Sequence, residues 1–266
     1  MLSPLDLYDV TILSEDAGAD APIDDLPHGW CDIIGRGRMG AALSSALSAA
    51  GIRVRGPLAR GADAAGAAIV LLCVPDREIA SASAAVARGP LVGHVSASAD
   101  LALLAPHERF ALHPLLSVLG GGARFAGATC AVDGSTVHAL GVARALALRL
   151  GMHPRVISTE QRALYHAAAS MSSNYLVTLE AAAERLAQEV GLERAALVPL
   201  VRATMEQWAA FGARTALTGP IARGDEETVA RQRAAVADAA PDMLALWDAL
   251  AAATRDLAAA PIAIRS

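Results

Sequence analysis

From residue 29 to about residue 157, short apolar runs alternate with stretches of helical periodicity. The runs at 30–34, 52–58, 68–74, 91–96, 109–112, 128–132 and 154–157 predict strands, and the periodic stretches at 38–50, 76–87 and 135–150 predict helices. Such alternation favours a mostly parallel sheet covered on both faces. Ala68–Val74 is apolar throughout, as a central strand requires; Pro75 stops it and Asp76 is placed to cap the next helix. At Ser158 the character changes. Ser158 and Gln161 fit a capping box, and a helical pattern continues from there to Gly191, a good C-terminal stop. Further helices are predicted at 193–211, 225–239 and 242–259, with Pro241 placed to open the last. The chain therefore divides into an N-terminal arm (1–28), an α/β domain (29–157) and an all-α domain (158–266). Thirty residues of such a helix would span roughly 45 Å, more than a small domain needs for itself. That length predicts that two chains pack their helical domains together as a homodimer.

Composition narrows the possibilities. The sequence is 54% hydrophobic and 3% aromatic, so the core must be built from Ala, Leu and Val. The 22 basic residues are all Arg; no Lys occurs. Against 27 acidic residues they leave a net charge of −5 with no basic block, which argues against nucleic-acid binding. No apolar run is long enough to span a membrane. The arm is acidic and lacks the positive start of a secretory signal. Cys31, Cys73 and Cys130 are far apart and read as free, buried thiols, which together with the missing signal points to the cytoplasm.

The first predicted strand runs into Gly35-Arg36-Gly37-Arg38-Met39-Gly40, and a helix follows. In a Gly-x-Gly-x-x-Gly turn the first glycine allows the sharp bend. The second lets backbone approach a pyrophosphate, and the third lets the helix lie close on the sheet. The helix N-terminus supplies free N–H groups and a positive dipole end. Gly35, Arg36, Gly37, Arg38, Met39 and Gly40, with Val74 and Pro75 after the third strand, are thus the candidate dinucleotide site of a Rossmann-type unit. The second strand ends without an acidic residue to accept from a ribose hydroxyl, and Arg60 follows it. An Arg there suits a 2′-phosphate, so NADP is expected rather than NAD.

Ligands of open α/β sheets bind beyond the carboxyl ends of the strands, and three polar clusters compete for that place. His113 ends a strand and leads to Ser117; a His so placed can exchange a proton with a substrate oxygen. His166, Ser170, Ser173 and Asn174 share an arc of about 100° on the long helix. Packing on partner backbone explains that stripe more readily than a ligand cleft does. Between two later helices lie Thr218 and Arg223, where Arg223 can hold a carboxylate and Asp225 can cap the next helix.

With these pieces in view, the chain resembles the bacterial proteins that join a Rossmann-like NADP-binding domain to a helical C-terminal domain of formerly unknown function. The matching stretches are Gly35–Gly40, Val74–Asp76, His94–Ser96, His113–Ser117, Tyr165–Tyr175 and Leu217–Asp225. In layout the group is similar to 6-phosphogluconate and β-hydroxyacid dehydrogenases, pyrroline-carboxylate reductases and ketopantoate reductases. The resemblance implies an NADP-dependent oxidoreductase acting on a small anionic 2-oxo or 2-hydroxy acid, ketopantoate among the substrates it suggests. The His-Pro-Leu run also looks like the His-Pro-Met run of prephenate dehydrogenases. The β-hydroxyacid dehydrogenases place a catalytic Lys on the helix that opens the second domain, with an Asn beyond it. This chain has Asn174 but no Lys, so the general acid falls to His166 or His113, with Asn174 and Ser170 orienting the carbonyl and Ser117, Ser173, Thr218 and Arg223 around the substrate. The missing Lys also suits a nucleotide-binding sensor or scaffold with a decayed redox site.

Overall fold

The apolar runs form seven strands: β1 (Trp30–Ile34), β2 (Val54–Leu58), β3 (Ala67–Leu72), β4 (Leu91–His94), β5 (Arg109–Pro114), β6 (Thr129–Gly134) and β7 (His153–Val156). In the computed structural model, which describes residues 26–119 and 122–261, they make one sheet in the order β2-β1-β3-β4-β5-β6-β7. Every neighbouring pair is parallel except β5 and β6. This is the Rossmann-type, mostly parallel sheet predicted above, and an all-α segment follows it. The acidic arm lies almost entirely outside the described residues.

Alternation along each strand divides the core between the two faces of the sheet. On one face Ile33, Leu71, Phe110, Leu112 and Val132 pack against α1 (Arg38–Ala49) and α3 (Val137–Arg149) through Leu43, Leu47 and Leu146. On the other, Ile34, Val70, Leu72, Val92 and Ala111 meet Ile79 of α2 (Ile79–Ala85) and Leu101 and Leu104 of a short 3₁₀ turn. Asp76 does not cap a helix. Pro75 and Glu78 hold the cap positions, and the Asp76 carboxylate instead accepts the hydroxyls of Ser96 and Ser98 at 2.8 and 2.9 Å.

The capping box at Ser158 and Gln161 is present. The helical stretch it opens is not one even helix. A 3₁₀ turn (Thr159–Gln161) leads into α4 (Arg162–Ser170), a π-helical turn follows over Met171–Tyr175, and α5 runs over Leu176–Gln188. Because π turns bond i to i+5, the 100° pitch assumed for the polar stripe stops at Ser170.

By compactness the chain forms two units, the first ending at Ser170 and the second beginning at Met171. Arg162 and Tyr165 tie α4 to the sheet through Asp133 and His113, so that helix belongs to the first unit although the helical segment begins at Ser158. The second unit holds α5, α6 (Arg194–Phe211), α7 (Ala213–Ala216), α8 (Glu226–Ala239) and α9 (Leu244–Ala259). Its buried apolar residues among those described are Ala187, Val229, Val236, Ala240 and Ala251, all small. Val177, Val190, Leu200, Trp208 and Phe211 stand exposed. Exposed Arg pairs to Asp242, Asp248 and Glu226 add little, since solvent screens them. No helix among the described residues is long and apolar enough to cross a membrane.

Candidate functional site

β1 lies between β2 and β3, so the chain leaves β1 toward one side of the sheet and returns on the other. The carboxyl ends of β1 and β3 therefore mark the topological switch point, where open α/β sheets bind ligands. The glycine turn sits there, and its three glycines have different reasons to be glycine. Gly35 has φ +124°, and a Cβ would stand 2.2 Å from the Cys73 carbonyl oxygen. A Cβ on Gly40 would stand 1.9 Å from the Gly35 carbonyl oxygen, so α1 could not lie where it does. Gly37 is the N-cap of α1 in extended backbone at φ −76°, with no side-chain cap. A Cβ there would meet nothing within 4 Å. The fold does not require glycine at this position.

Gly35, Arg36, Gly37, Arg38, Met39, Arg60 and Pro75 line one groove of about 410 Å³, with Leu116 and Val118 as an apolar wall. An adjoining space of about 480 Å³ is bounded by Arg36, Gly37, Ala59 and Arg60. Val74 is buried in the core and does not line the groove. Arg60 reaches Glu78 Oε2 at 2.7 Å, so its charge is shared with a carboxylate. Arg55 forks onto the buried Asp32 at 2.6 and 2.7 Å and is structural. Bare helix N–H groups with three guanidiniums around them fit a diphosphate carrying a further phosphate.

A second polar cluster lies at the carboxyl ends of β4 and β5. Strand register puts His94 of β4 and Asp133 of β6 on either side of Ala111, all on one face, with His113 two residues further along β5. Arg162 of α4, buried, donates to Asp133 Oδ2 at 3.3 Å. Tyr165 and His166 follow at i+3 and i+4 on the same helix face, and Tyr165 Oη lies 2.8 Å from His113 Nδ1. His94 accepts the Ser96 N–H on Nδ1 at 3.2 Å, so its proton sits on Nε2, which is buried without a partner. Burial first and Arg162 second push His94 down to about 4; burial first, then His166 and Arg162, push His113 down to about 4. Both imidazoles are neutral at pH 7. Burial pushes the Tyr165 phenol up to about 12.

Of the residues singled out from sequence, the glycine turn, Arg36, Arg38, Met39, Arg60 and Pro75 come together in the groove. His113 is half-buried in the second cluster, and Ser117 lies exposed on the loop beyond β5. His166 is exposed on α4, and Ser170 closes that helix. Ser173, Asn174, Thr218 and Arg223 belong to the second unit and are exposed there. Ser173 donates to Asn174 Oδ1 at 3.3 Å, and Asp225 caps α8 through the Thr228 N–H at 3.1 Å. Sequence reasoning missed Arg162, Tyr165, His94 and Asp133. The i, i+3 spacing of Arg162 and Tyr165 on an otherwise apolar helix was the available signal. No three His, Cys, Asp or Glu among the described residues are grouped to hold a metal.

The family described as "Domain of unknown function (DUF2520)" matches residues 128–254, from β6 through most of α9. The match covers just under half of the chain and takes in most of the helical segment that the resemblance concerns. No curated protein matches the chain. Among solved structures, the chain is similar to the candidate NADP oxidoreductase BF3122 of Bacteroides fragilis, with a TM-score of 0.73 and 20% identity over 86% of this chain and 98% of that one. Protein TM1727 of Thermotoga maritima gives a TM-score of 0.72 at 21% identity, again over 86% and 98%. The reductive aminase of Aspergillus terreus, solved with NADPH, gives 0.59 at 16% identity over 86% and 94%. At these identities the likeness is one of fold.

Proposed function

We propose that this protein is an NADP-dependent oxidoreductase that moves a hydride to or from a small anionic carbonyl compound, a 2-oxo acid and its 2-hydroxy acid being the expected pair. The observation that carries the reading is Gly37. It is a glycine with open space over a helix N-terminus, at the switch point, beside Arg60. Gly35, Gly37 and Gly40 form the diphosphate cradle, with Arg36, Arg38 and Met39 around it, and Arg60 takes the 2′-phosphate. NADP supplies the hydride when bound, and the proton comes from His113 or His166. Folds of this kind also serve a reductive aminase, so an imine of similar size is the second substrate class to test.

The core of the second unit supports a homodimer through the helical domain. About ninety residues that bury five small apolar side chains leave α5 and α6 without cover, and a second copy offers the same apolar face in return. The three free thiols suit the cytoplasm. Fluorescence titration with NADPH and NADH tests the cofactor, and a panel of 2-oxo acids and cyclic imines tests the chemistry. Tight NADPH binding that Gly37→Val abolishes without changing the melting temperature is expected. Failure of both nucleotides to bind refutes the proposal, and binding without turnover across the panel favours a nucleotide sensor.

A further inference from the structure

The hydrogen bond between Tyr165 and His113 has a polarity that chemistry decides. The atoms are 2.8 Å apart, and the rings meet edge to face with centroids 5.6 Å apart and planes at 89°. A phenol is the better donor and a neutral imidazole nitrogen the better acceptor, so the O–H points at Nδ1. The ring proton then sits on Nε2, the one ring nitrogen left for a ligand. The surroundings keep the ring neutral. Arg162 and His166 face it from α4 together with Tyr165, His94 lies on the neighbouring strand, and Asp76 approaches from the turn after β3. His166, by contrast, is exposed and is not needed to complete this contact.

We propose that Tyr165 and His113 form a proton relay ending on His113 Nε2, with His113 as the catalytic donor and Tyr165 as the residue that positions and recharges it. The inference rests on the oxidoreductase reading and assigns its acid step. In the reducing direction the substrate carbon gains a hydride, and the electron pair of the broken π bond goes to its oxygen or nitrogen. That atom takes the Nε2 proton. Nδ1 takes the phenolic proton from Tyr165 as the Nε2–H bond breaks, so the imidazole stays neutral with its tautomer reversed. The Nδ1 proton then returns to the phenolate as Nε2 takes one proton from solvent, which restores the phenol and the first tautomer. A chain without lysine obtains a proton at neutral pH in this way without a charged imidazolium.

Ring-nitrogen NMR on the ¹⁵N-histidine-labelled protein tests the relay without any substrate, with the His113 signals identified by their loss in His113→Asn. The wild type should show a bare Nδ1 and a protonated Nε2 at pH 7, and Tyr165→Phe should let the ring populate both tautomers. A proton on Nδ1 in the wild type, or an unaltered ring in Tyr165→Phe, overturns the proposal. A second arm uses NADPH with the 2-oxo acid and cyclic imine panel. Tyr165→Phe should lower kcat at least ~10-fold, with the Kd for NADPH and the KM little changed; an equal kcat overturns the relay. Absence of NADPH binding in the wild type would remove the oxidoreductase reading, whereas bound NADPH with the wrong tautomer removes the relay alone.

Discussion

Acidification should weaken the first unit through His94. Its ring is wholly buried, accepts a backbone N–H, and is held at about 4 rather than 6.5 by burial and then by Arg162. Between those values the unfolded chain binds the extra proton and the folded one does not. Stability is therefore complete above the unfolded pKa and falls as the pH drops toward the folded one. Going from pH 8 to pH 4.5, this single group removes about 2–3 kcal/mol. That is a large part of the 5–15 kcal/mol typical of a folded domain. The comparison to make is with His94→Asn, whose side-chain oxygen can still accept from Ser96 and which does not titrate. Urea unfolding at both pH values, followed by circular dichroism, gives four free energies. The variant should be the less stable at pH 8, yet its loss on acidification should be smaller than that of the wild type by about 2–3 kcal/mol. Carboxylates titrate in both proteins and cancel in this double difference. Equal acid sensitivity in the two proteins would refute the reasoning.

Other consequences can be checked separately. Gly40→Ala sets a methyl 1.9 Å from the Gly35 carbonyl oxygen and should cost at least about 2 kcal/mol in chemical denaturation, whereas Gly37→Ala should leave stability unchanged. Glu78→Gln frees Arg60 from its ion pair and should tighten NADPH several-fold with little effect on NADH, and Arg60→Ala should do the reverse; equal changes for the two nucleotides would remove Arg60 from the 2′-phosphate site. Phe211→Glu, at an exposed position of α6, should shift the sedimentation coefficient toward that of a monomer, and an unchanged coefficient would place the interface elsewhere.

Much of the fold was legible because its signals are local. A strand such as Ala68–Val74 announces itself by an unbroken apolar run, and the Ser158–Gln161 box by two residues three apart. The glycine turn was legible for the same reason, down to why Gly35 and Gly40 have no room for a side chain. What could not be read depends on register between distant segments. Asp76 looks like a cap until β4 brings Ser96 and Ser98 to its carboxylate. His94 looks like a strand-end histidine until Ala111 and Arg162 are seen beside it. Tyr165 meets His113 across fifty-two positions of chain, a pairing that no periodicity encodes. The π turn at Met171–Tyr175 was hidden too, since the helical pattern on either side continues through it.

The meagre interior of the helical unit bears on gene dosage. If its apolar faces are covered only when two copies meet, the amount of paired protein rises with the square of the free chain at low abundance. Halving synthesis would then cut the functional pool by more than half, and the surplus singles would present α5 and α6 to proteases. Selection on this protein would act on how much of it is made as well as on its active centre.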